Sequence, residues 1–198
     1  DESLTRWQVK RLFDSIVAAD VSGIVAGSLG NAGCSDVVGI DDLGFLRIVI
    51  NRAGIYSREL LVSSTAAALG SKLLVQDLNL DGLADILVVQ PRGSTRVLLA
   101  SSSSPDTYVE STPIRYAGST ALCQDLTGDL IPDVLISVSN AAKRLVFLQG
   151  LGNGKFSNRT GVFLANIRAL PASAIALQFL AGEQPGSYSV VLGFASEP

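Results

Sequence analysis

The chain of 198 residues contains no histidine and no methionine. Histidine is the commonest general base of enzymes and the commonest ligand of transition metals, so its absence argues against both kinds of site. The sequence also lacks a nucleophile motif such as G-x-S-x-G. We therefore expect a protein that is not an enzyme. Because methionine is absent, we also expect a processed chain or a segment of a larger protein.

Charged residues are scarce, at 17% of the chain, and the formal net charge is -3. A nucleic-acid-binding protein would carry a basic stripe, so we expect no nucleic-acid partner. The hydrophobic content of 47% argues against disorder. We expect no membrane span, since no apolar run reaches the roughly 18–20 residues of a membrane helix and the longest, Ile175 to Ala181, is interrupted by Gln178. The charged and polar residues Asp1 to Arg6 do not resemble a targeting segment.

Cysteine is also rare, with only Cys34 and Cys123. A single disulfide, which would indicate an oxidising compartment, and two buried thiols are both compatible with this pair. The sequence leaves the choice between them open.

An internal repeat of 48 residues organises the middle of the chain. A shift of 48 positions superimposes acids, glutamines, arginines and aromatic residues without a gap: Asp77 on Asp125, Asp81 on Asp129, Asp85 on Asp133, Gln76 on Gln124, Arg96 on Arg144 and Tyr108 on Phe156. Weaker copies flank these two. The repeat predicts four units, at residues 16–62, 71–116, 119–167 and 172–198, of which the last is incomplete.

Each unit is composed of short apolar segments separated by turn-forming residues. In the second unit the predicted strands cover 72–76, 86–90 and 96–100, and a fourth begins near Tyr108. A unit of about 48 residues with four strands is typical of a β-propeller blade. We predict an all-β fold of about four antiparallel blades within a larger propeller, of which a seven-bladed ring is one form, because open ends would expose strand edges. A closed four-bladed ring is the alternative.

The turn between the first two strands of the second unit carries oxygen ligands at alternate positions. Positions 1, 3, 5 and 9 are Asp77, Asn79, Asp81 and Asp85, and the backbone carbonyl of Leu83 stands at position 7. Calcium takes six to eight oxygen ligands, and Gly82 at position 6 permits the sharp turn around an ion. Asp and Asn often serve only to hydrogen-bond their own turn, but that explains one or two such residues in a loop rather than four. The pattern predicts a calcium site.

This segment, D-L-N-L-D-G-L-A-D-I-L-V, resembles the D-x-N-x-D-G-x-x-D-[IL]-x-V loop of FG-GAP (VCBS-type) repeats, the blades of integrin-alpha-like propellers. The stretch Val146 to Phe156 is similar to the strand, glycine turn and phenylalanine of the same family. The resemblance covers roughly the whole chain and is strongest in the second unit. It implies that the loop binds calcium and ties two strands of one blade together.

The third unit keeps the ligand spacing with two departures. Its predicted ligands are Asp125, Thr127, Asp129, the carbonyl of Ile131, and Asp133. Threonine replaces asparagine at position 3, and Leu130 replaces glycine at position 6, although Gly128 stands at position 4. In the first unit we align Asp20 and Ser22 with positions 1 and 3, followed by an insertion before Asp36. In the fourth unit Phe179 falls on position 1, and we expect no metal there.

The resemblance implies an extracellular interaction module, and glycosylation is expected only if the chain is secreted. Asn158 begins the glycosylation sequon Asn-Arg-Thr. We expect Tyr56, Tyr108 and Phe156 to be packing residues, and Arg96 and Arg144 to lie at blade edges. The predicted function is that of an extracellular or cell-surface calcium-binding propeller, non-catalytic, with a structural or adhesion role. Its partner would be a cell-surface or matrix protein or neighbouring blades. A lectin-type propeller that binds a glycan is the alternative.

Overall fold

The computed structural model describes residues 25–27, 36–41, 43–52, 55–56, 60–63, 65–104, 107–138, 145–163, 174–181 and 188–194. These residues form three four-stranded antiparallel sheets, one two-stranded sheet and one small hairpin. Their only helix is the four-residue α1, Thr160–Phe163. The predicted all-β fold is therefore confirmed.

Each four-stranded sheet is formed by strands in their chain order. The first sheet contains β1 Val25–Gly27, β2 Asp36–Ile40, β3 Leu46–Val49 and β6 Leu60–Ser63. The hairpin β4 Asn51–Arg52 and β5 Ile55–Tyr56 lies between β3 and β6 in the chain. The second sheet contains β7 Lys72–Gln76, β8 Asp85–Val89, β9 Arg96–Ala100 and β10 Tyr108–Glu110.

The strands of the third sheet also follow their chain order, and the fourth sheet consists of two strands that are consecutive in the chain. The third sheet contains β11 Thr120–Gln124, β12 Asp133–Ser137, β13 Leu145–Gly150 and β14 Phe156–Asn158. The two-stranded sheet pairs β15 Ala174–Ala181 with β16 Tyr188–Phe194. The first strands of successive sheets are neighbours, since β1 contacts β7, β7 contacts β11 and β11 contacts β15.

The second sheet contributes to two hydrophobic cores because its central strand β8 is buried on both faces. Side chains of a strand point alternately to its two faces. Ile86 and Val88 pack in a core with the first sheet, whereas Leu87 and Val89 pack in a core with the third sheet. Continuous burial explains why β8 is an unbroken apolar run rather than an alternating one. The first three sheets are therefore stacked face to face in chain order.

A buried arginine connects the first two sheets. Arg96, at the start of β9, pairs with Glu110 of its own sheet at 2.9 Å. Its other guanidinium nitrogens donate to Ser63 Oγ and to the carbonyl of Thr65, just beyond β6. Arg96 is 4% exposed, so it joins two sheets through a desolvated polar contact. Arg144 lies outside the described residues.

The strand registers change three sequence alignments. Val88 pairs with Arg96, and its counterpart Ile136 pairs with Val146, so Val146 rather than Arg144 is the equivalent of Arg96. The connection before β13 is longer than the one before β9, and the turn after β13 is shorter than the one after β9 by the same number of residues. These two changes cancel, which is why Tyr108 and Phe156 nevertheless begin equivalent strands.

The alignments of the first and fourth units are also wrong. Gly27 pairs with Asp36 just as Gln76 pairs with Asp85, so residues 28–35 match the turn 77–84 in length and no insertion is present. Asp20 and Ser22 lie outside the described residues and before β1, where they cannot open this turn. Its position 1 is Ser28. In the fourth unit Phe179 lies within β15 and pairs with Val190, rather than opening a turn.

Candidate metal centre

The loop 77–85 connects the edge strand β7 to the central strand β8. Asp77 places its carboxylate inside the turn, where Oδ1 accepts the N–H of Asp81 at 3.2 Å and Oδ2 accepts that of Gly82 at 2.9 Å. Two residues of the turn, Leu80 at φ 62 and Gly82 at φ 84, have left-handed backbones. These dihedrals curl the chain around the carboxylate of Asp77.

Two further predicted ligands lie together on the exposed side of the loop. Asn79 donates from Nδ2 to Asp81 Oδ2 at 3.0 Å and accepts the N–H of Asp81 at its own Oδ1. The other oxygen of Asp81 accepts the N–H of Leu83 at 2.9 Å. Positions 1, 3 and 5 are thus joined by one hydrogen-bond network.

Asp85 is the buried member of the set, with 0% of its surface exposed. Its Oδ2 accepts the N–H of Leu78, and its Oδ1 accepts the N–H of Ala100 at the end of β9, both at 2.8 Å. Burial raises the pKa of this carboxyl group from 3.8 to about 6, against the lowering effect of the two N–H groups. The negative charges of Asp81 and Asp77 raise the pKa of Asp85 further. The loop therefore concentrates negative charge that a cation would neutralise.

The loop 125–133, between β11 and β12, repeats this geometry. Asp125 Oδ1 accepts N–H groups of residues 127, 128 and 129, and its Oδ2 accepts that of Leu130. Asp129 Oδ1 accepts the N–H of Ile131. Asp133, 0% exposed, accepts the N–H groups of Leu126 and Gly150. Two turns of different sequence thus place carboxylates at positions 1, 5 and 9 in the same way.

The pKa values of the carboxylates in the loop 125–133 are shifted by the same physical causes. Burial raises the pKa of Asp133, and the N–H of Gly150 is the largest opposing effect. The N–H of Ile131 is the main cause that lowers the pKa of the exposed Asp129. The side chain of Thr127 also lowers the pKa of both Asp129 and Asp133, which places the predicted position-3 ligand near these two carboxylates.

The left-handed backbone positions explain why the loop 125–133 has no glycine at position 6. In the loop 125–133 the positive dihedrals are at Gly128, φ 81, and Leu130, φ 66. Both loops therefore need left-handed residues at positions 4 and 6. Each of them uses one glycine and one leucine, with the order reversed. Gly128 meets the same backbone demand as Gly82, at the other of the two positions.

Replacing Leu130 with asparagine should stabilise the protein in the presence of a chelator. A left-handed backbone costs an ordinary residue roughly 1–2 kcal/mol, and asparagine tolerates it better. Leu130 is 84% exposed, so little buried surface is lost. We expect the free energy of unfolding to rise by about 1 kcal/mol in urea denaturation. Leu69→Asn, at an 81% exposed leucine without a positive φ, is the control and should show no gain. An equal change in both variants would disprove the strain.

A buried aspartate at position 9 also occurs where the other ligands are missing. Asp36 begins β2 and accepts the N–H of Asn51 at 2.6 Å, as Asp85 does for Ala100 and Asp133 for Gly150. Position 9 therefore has a structural role in all three sheets. What distinguishes the loops 77–85 and 125–133 is the additional acids at positions 1 and 5.

The donors of both loops fit a hard cation. Every candidate ligand is an oxygen of a carboxylate, amide, hydroxyl or backbone carbonyl, which suits calcium better than a thiolate- or imidazole-binding metal. Among the described residues no hydrogen bond reaches the carbonyls of Leu83 and Ile131, and no lysine or arginine pairs with the acids of either loop. A carboxylate oxygen that accepts one N–H keeps a second lone pair for an ion.

The acids do not converge fully as they stand. Within the described part of the chain, no three side chains of the types Asp, Glu, Cys and His come together closely enough to hold a metal. The carboxylates face N–H groups of their own turns instead. Binding an ion would therefore require the side chains of positions 1, 5 and 9 to rotate towards one another.

The predicted glycosylation residue has structural contacts of its own. Asn158 is exposed, but its Nδ2 donates to Tyr116 Oη at 2.6 Å and its Oδ1 accepts the N–H of Thr160 at 3.0 Å. The hydroxyl of Thr160 is buried and accepts the N–H of Phe147. A glycan on Asn158 would have to replace the bond to Tyr116, and its presence stays a prediction.

The other predicted residues divide between packing and undescribed regions. Tyr108 and Phe156 are partly buried against the two cores, as expected for packing residues. The side chain of Tyr56 lies outside the described part. Cys123 is a free thiol whose pKa burial raises to about 12, and Cys34 lies outside the described residues.

The chain matches no protein-family model and no curated protein. In the part of the chain that the structure describes, no helix is both long and apolar enough to cross a membrane.

Proposed function

We propose that this protein is a non-catalytic calcium-binding module whose loops 77–85 and 125–133 each hold one ion. The observation that carries this proposal is the repeated geometry of the two loops. Each loop has acids at positions 1 and 5 and a fully buried aspartate at position 9, without a basic side chain to balance them among the described residues. A divalent cation would remove the repulsion and supply the missing charge.

The arrangement of sheets supports a propeller as the fold of this module. Four sheets follow one another with their first strands adjacent, and the fully buried central strands β8 and β12 are covered on both faces. Radial stacking of four-stranded blades produces this order. We propose that the units 16–62, 71–116, 119–167 and 172–198 are blades of a larger propeller. A native particle with the mass of one 20.6 kDa chain would contradict that extension.

The role that fits such a module is structural or adhesive, in an extracellular or cell-surface setting where calcium is abundant. Its partner would be a cell-surface or matrix protein or adjoining blades. The site gives no particular support to a lectin, because the recurring aromatics Tyr108 and Phe156 pack against the cores. Specific binding on a glycan array would favour the lectin instead.

Thermal melting in calcium, magnesium and a chelator tests the proposed function. An ion at a hundred times its dissociation constant adds about 2.7 kcal/mol per site, which corresponds to roughly 5–10 °C for a domain of this size. We expect that shift with calcium and a much smaller one with magnesium, which demands a stricter octahedral site. Identical melting in calcium and chelator would contradict the proposal.

A further inference from the structure

The loop 77–85 has a contact with the following sheet that the described residues do not show for the loop 125–133. The turn between β13 and β14 approaches it at two points. Gly154 donates its N–H to the carbonyl of Leu78 at 3.0 Å. A side-chain carbon at Gly152 would lie 3.4 Å from Leu80 Cδ1, which places this glycine against the same loop.

Leu78 lies between the position-1 and position-3 ligands. Its N–H, its side chain and its carbonyl each make a contact. Its N–H donates to Asp85, the buried position-9 ligand. Its side chain is 2% exposed and belongs to the core between the second and third sheets. Its carbonyl accepts from Gly154. The backbone between Asp77 and Asn79 therefore cannot move without disturbing the joint between the two sheets.

Glycine at residue 154 permits this close approach of the turn. Its φ is +70, and a Cβ there would lie 2.7 Å from Cδ2 and 2.9 Å from Cδ1 of Leu99, on β9. Such a contact would require either the Leu99 side chain to move or the turn to shift away from the second sheet, and the left-handed backbone would add strain. Gly93 is a natural comparison, since it has a φ of +86 and open space around its Cβ position.

We infer that Gly154 is a positioning residue for the calcium site of the loop 77–85, although it belongs to the neighbouring sheet and contributes no ligand. By fixing Leu78, it holds the backbone of Asp77 and Asn79 in place, from which their side chains would turn towards the ion. Outer contacts that orient metal ligands commonly change affinity by 10–100-fold. Because linkage is reciprocal, calcium in this loop also tightens the joint between the second and third sheets. This inference rests on the proposed function.

The test measures calcium affinity by calorimetry with one loop active at a time. In an Asp129→Ala background, which leaves the loop 77–85, Gly154→Ala should weaken calcium binding by about tenfold or more. In an Asp81→Ala background, which leaves the loop 125–133, the same change should have no effect. Gly93→Ala imposes similar backbone strain away from the joint and should leave both affinities unchanged. Adding Leu99→Ala to Gly154→Ala makes room for the new methyl group and should restore most of the affinity.

A second measurement uses the unaltered protein, so it does not depend on the folding of any variant. Calcium should slow the hydrogen exchange of the Gly154 amide. The Gly118 amide, which bonds to Gln90 just beyond the end of β8 that is remote from the loop, should not respond. Equal affinity in Gly154→Ala and its parent, equal losses in both loops, or an unchanged Gly154 exchange rate would overturn the inference. Failure of the unaltered protein to bind calcium would instead overturn the proposed function, and this inference with it.

Discussion

Replacing Asp85 with alanine is expected to lower the free energy of unfolding by about 3 kcal/mol, in a chelator as well as in calcium. The substitution leaves the N–H groups of Leu78 and Ala100 without their acceptor. Leaving a buried donor unsatisfied costs roughly 1–3 kcal/mol, and two are affected here. Removing the carboxylate of Asp85 offsets part of this cost, because burial makes its charged form unfavourable, as its raised pKa shows.

Asp81→Ala is the matched control because Asp81 is an exposed ligand of the same loop. It should change stability little in a chelator, yet remove the additional stability that calcium gives through this loop. Urea denaturation of both variants, with and without calcium, separates the structural role of position 9 from the metal-binding role of position 5. If Asp85→Ala were as stable as the parent in a chelator, the buried hydrogen bonds would not have the importance assigned to them. If Asp81→Ala kept the full calcium effect, Asp81 would not be a ligand.

The second large effect is the loss of a pH dependence when calcium binds. Without calcium, the pKa of Asp85 is about 6 in the folded protein and near 3.8 in the unfolded chain. The folded state therefore binds more protons between these values, and stability should fall as pH rises from 5 to 7. Asp133, whose pKa burial also raises, contributes in the same direction. Glu110 opposes the trend only near and below its ordinary pKa of 4.5, because its pKa is lowered by Arg96.

With saturating calcium this pH dependence should disappear, because the ion binds the carboxylate in place of the proton. At pH 5 a group with a pKa of about 6 is mostly protonated, so the affinity of the loop 77–85 should be about tenfold weaker than at pH 7. Melting curves at pH 5 and pH 7 in chelator and in calcium measure both effects. Asp85→Asn serves as the control, since it cannot titrate and should lose the contribution of this loop. The same pH trend with and without calcium would contradict an ion at Asp85.

The strands and the two loops were predictable because their signals are local. Apolar segments such as 72–76 and 96–100 alternate with turn residues, and the structure gives strands at these positions. The regular spacing of acids in the loop 77–85 reflects a turn of fixed length between paired strands. Sequence spacing alone could not show that Asp85 is buried, since this depends on the packing of β9 and the neighbouring sheets.

The sequence alignments were wrong in two situations. In one, the lengths of two neighbouring turns change in opposite directions; in the other, most ligands of the motif are absent. Arg144 matched Arg96 by position, yet the register assigns Val146 to that place because the two turns around β13 differ in opposite directions. In the first unit Asp36 is the only acid of the motif that is present, so Asp20 and Ser22 were wrongly aligned with positions 1 and 3. The ungapped match of residues 28–36 to 77–85, with Leu29 under Leu78 and Gly33 under Gly82, contained the correct signal.

Contacts between sheets were the part that sequence could not supply. The burial of Arg96 against Ser63 and Thr65, and the approach of Gly154 to Leu78, join residues far apart in the chain. Neither pair has a fixed sequence spacing. Their detection requires the order in which the sheets stack.

Calcium titration by isothermal calorimetry addresses the two-loop site most directly. The parent should bind one ion in each loop, Asp81→Ala and Asp129→Ala should each lose one of the two, and the double variant should bind none. All four proteins should retain the same far-ultraviolet circular dichroism in a chelator. Unchanged stoichiometry in the double variant, or no heat of binding in the parent at neutral pH, would show that these loops are turns held by their own hydrogen bonds and not calcium sites.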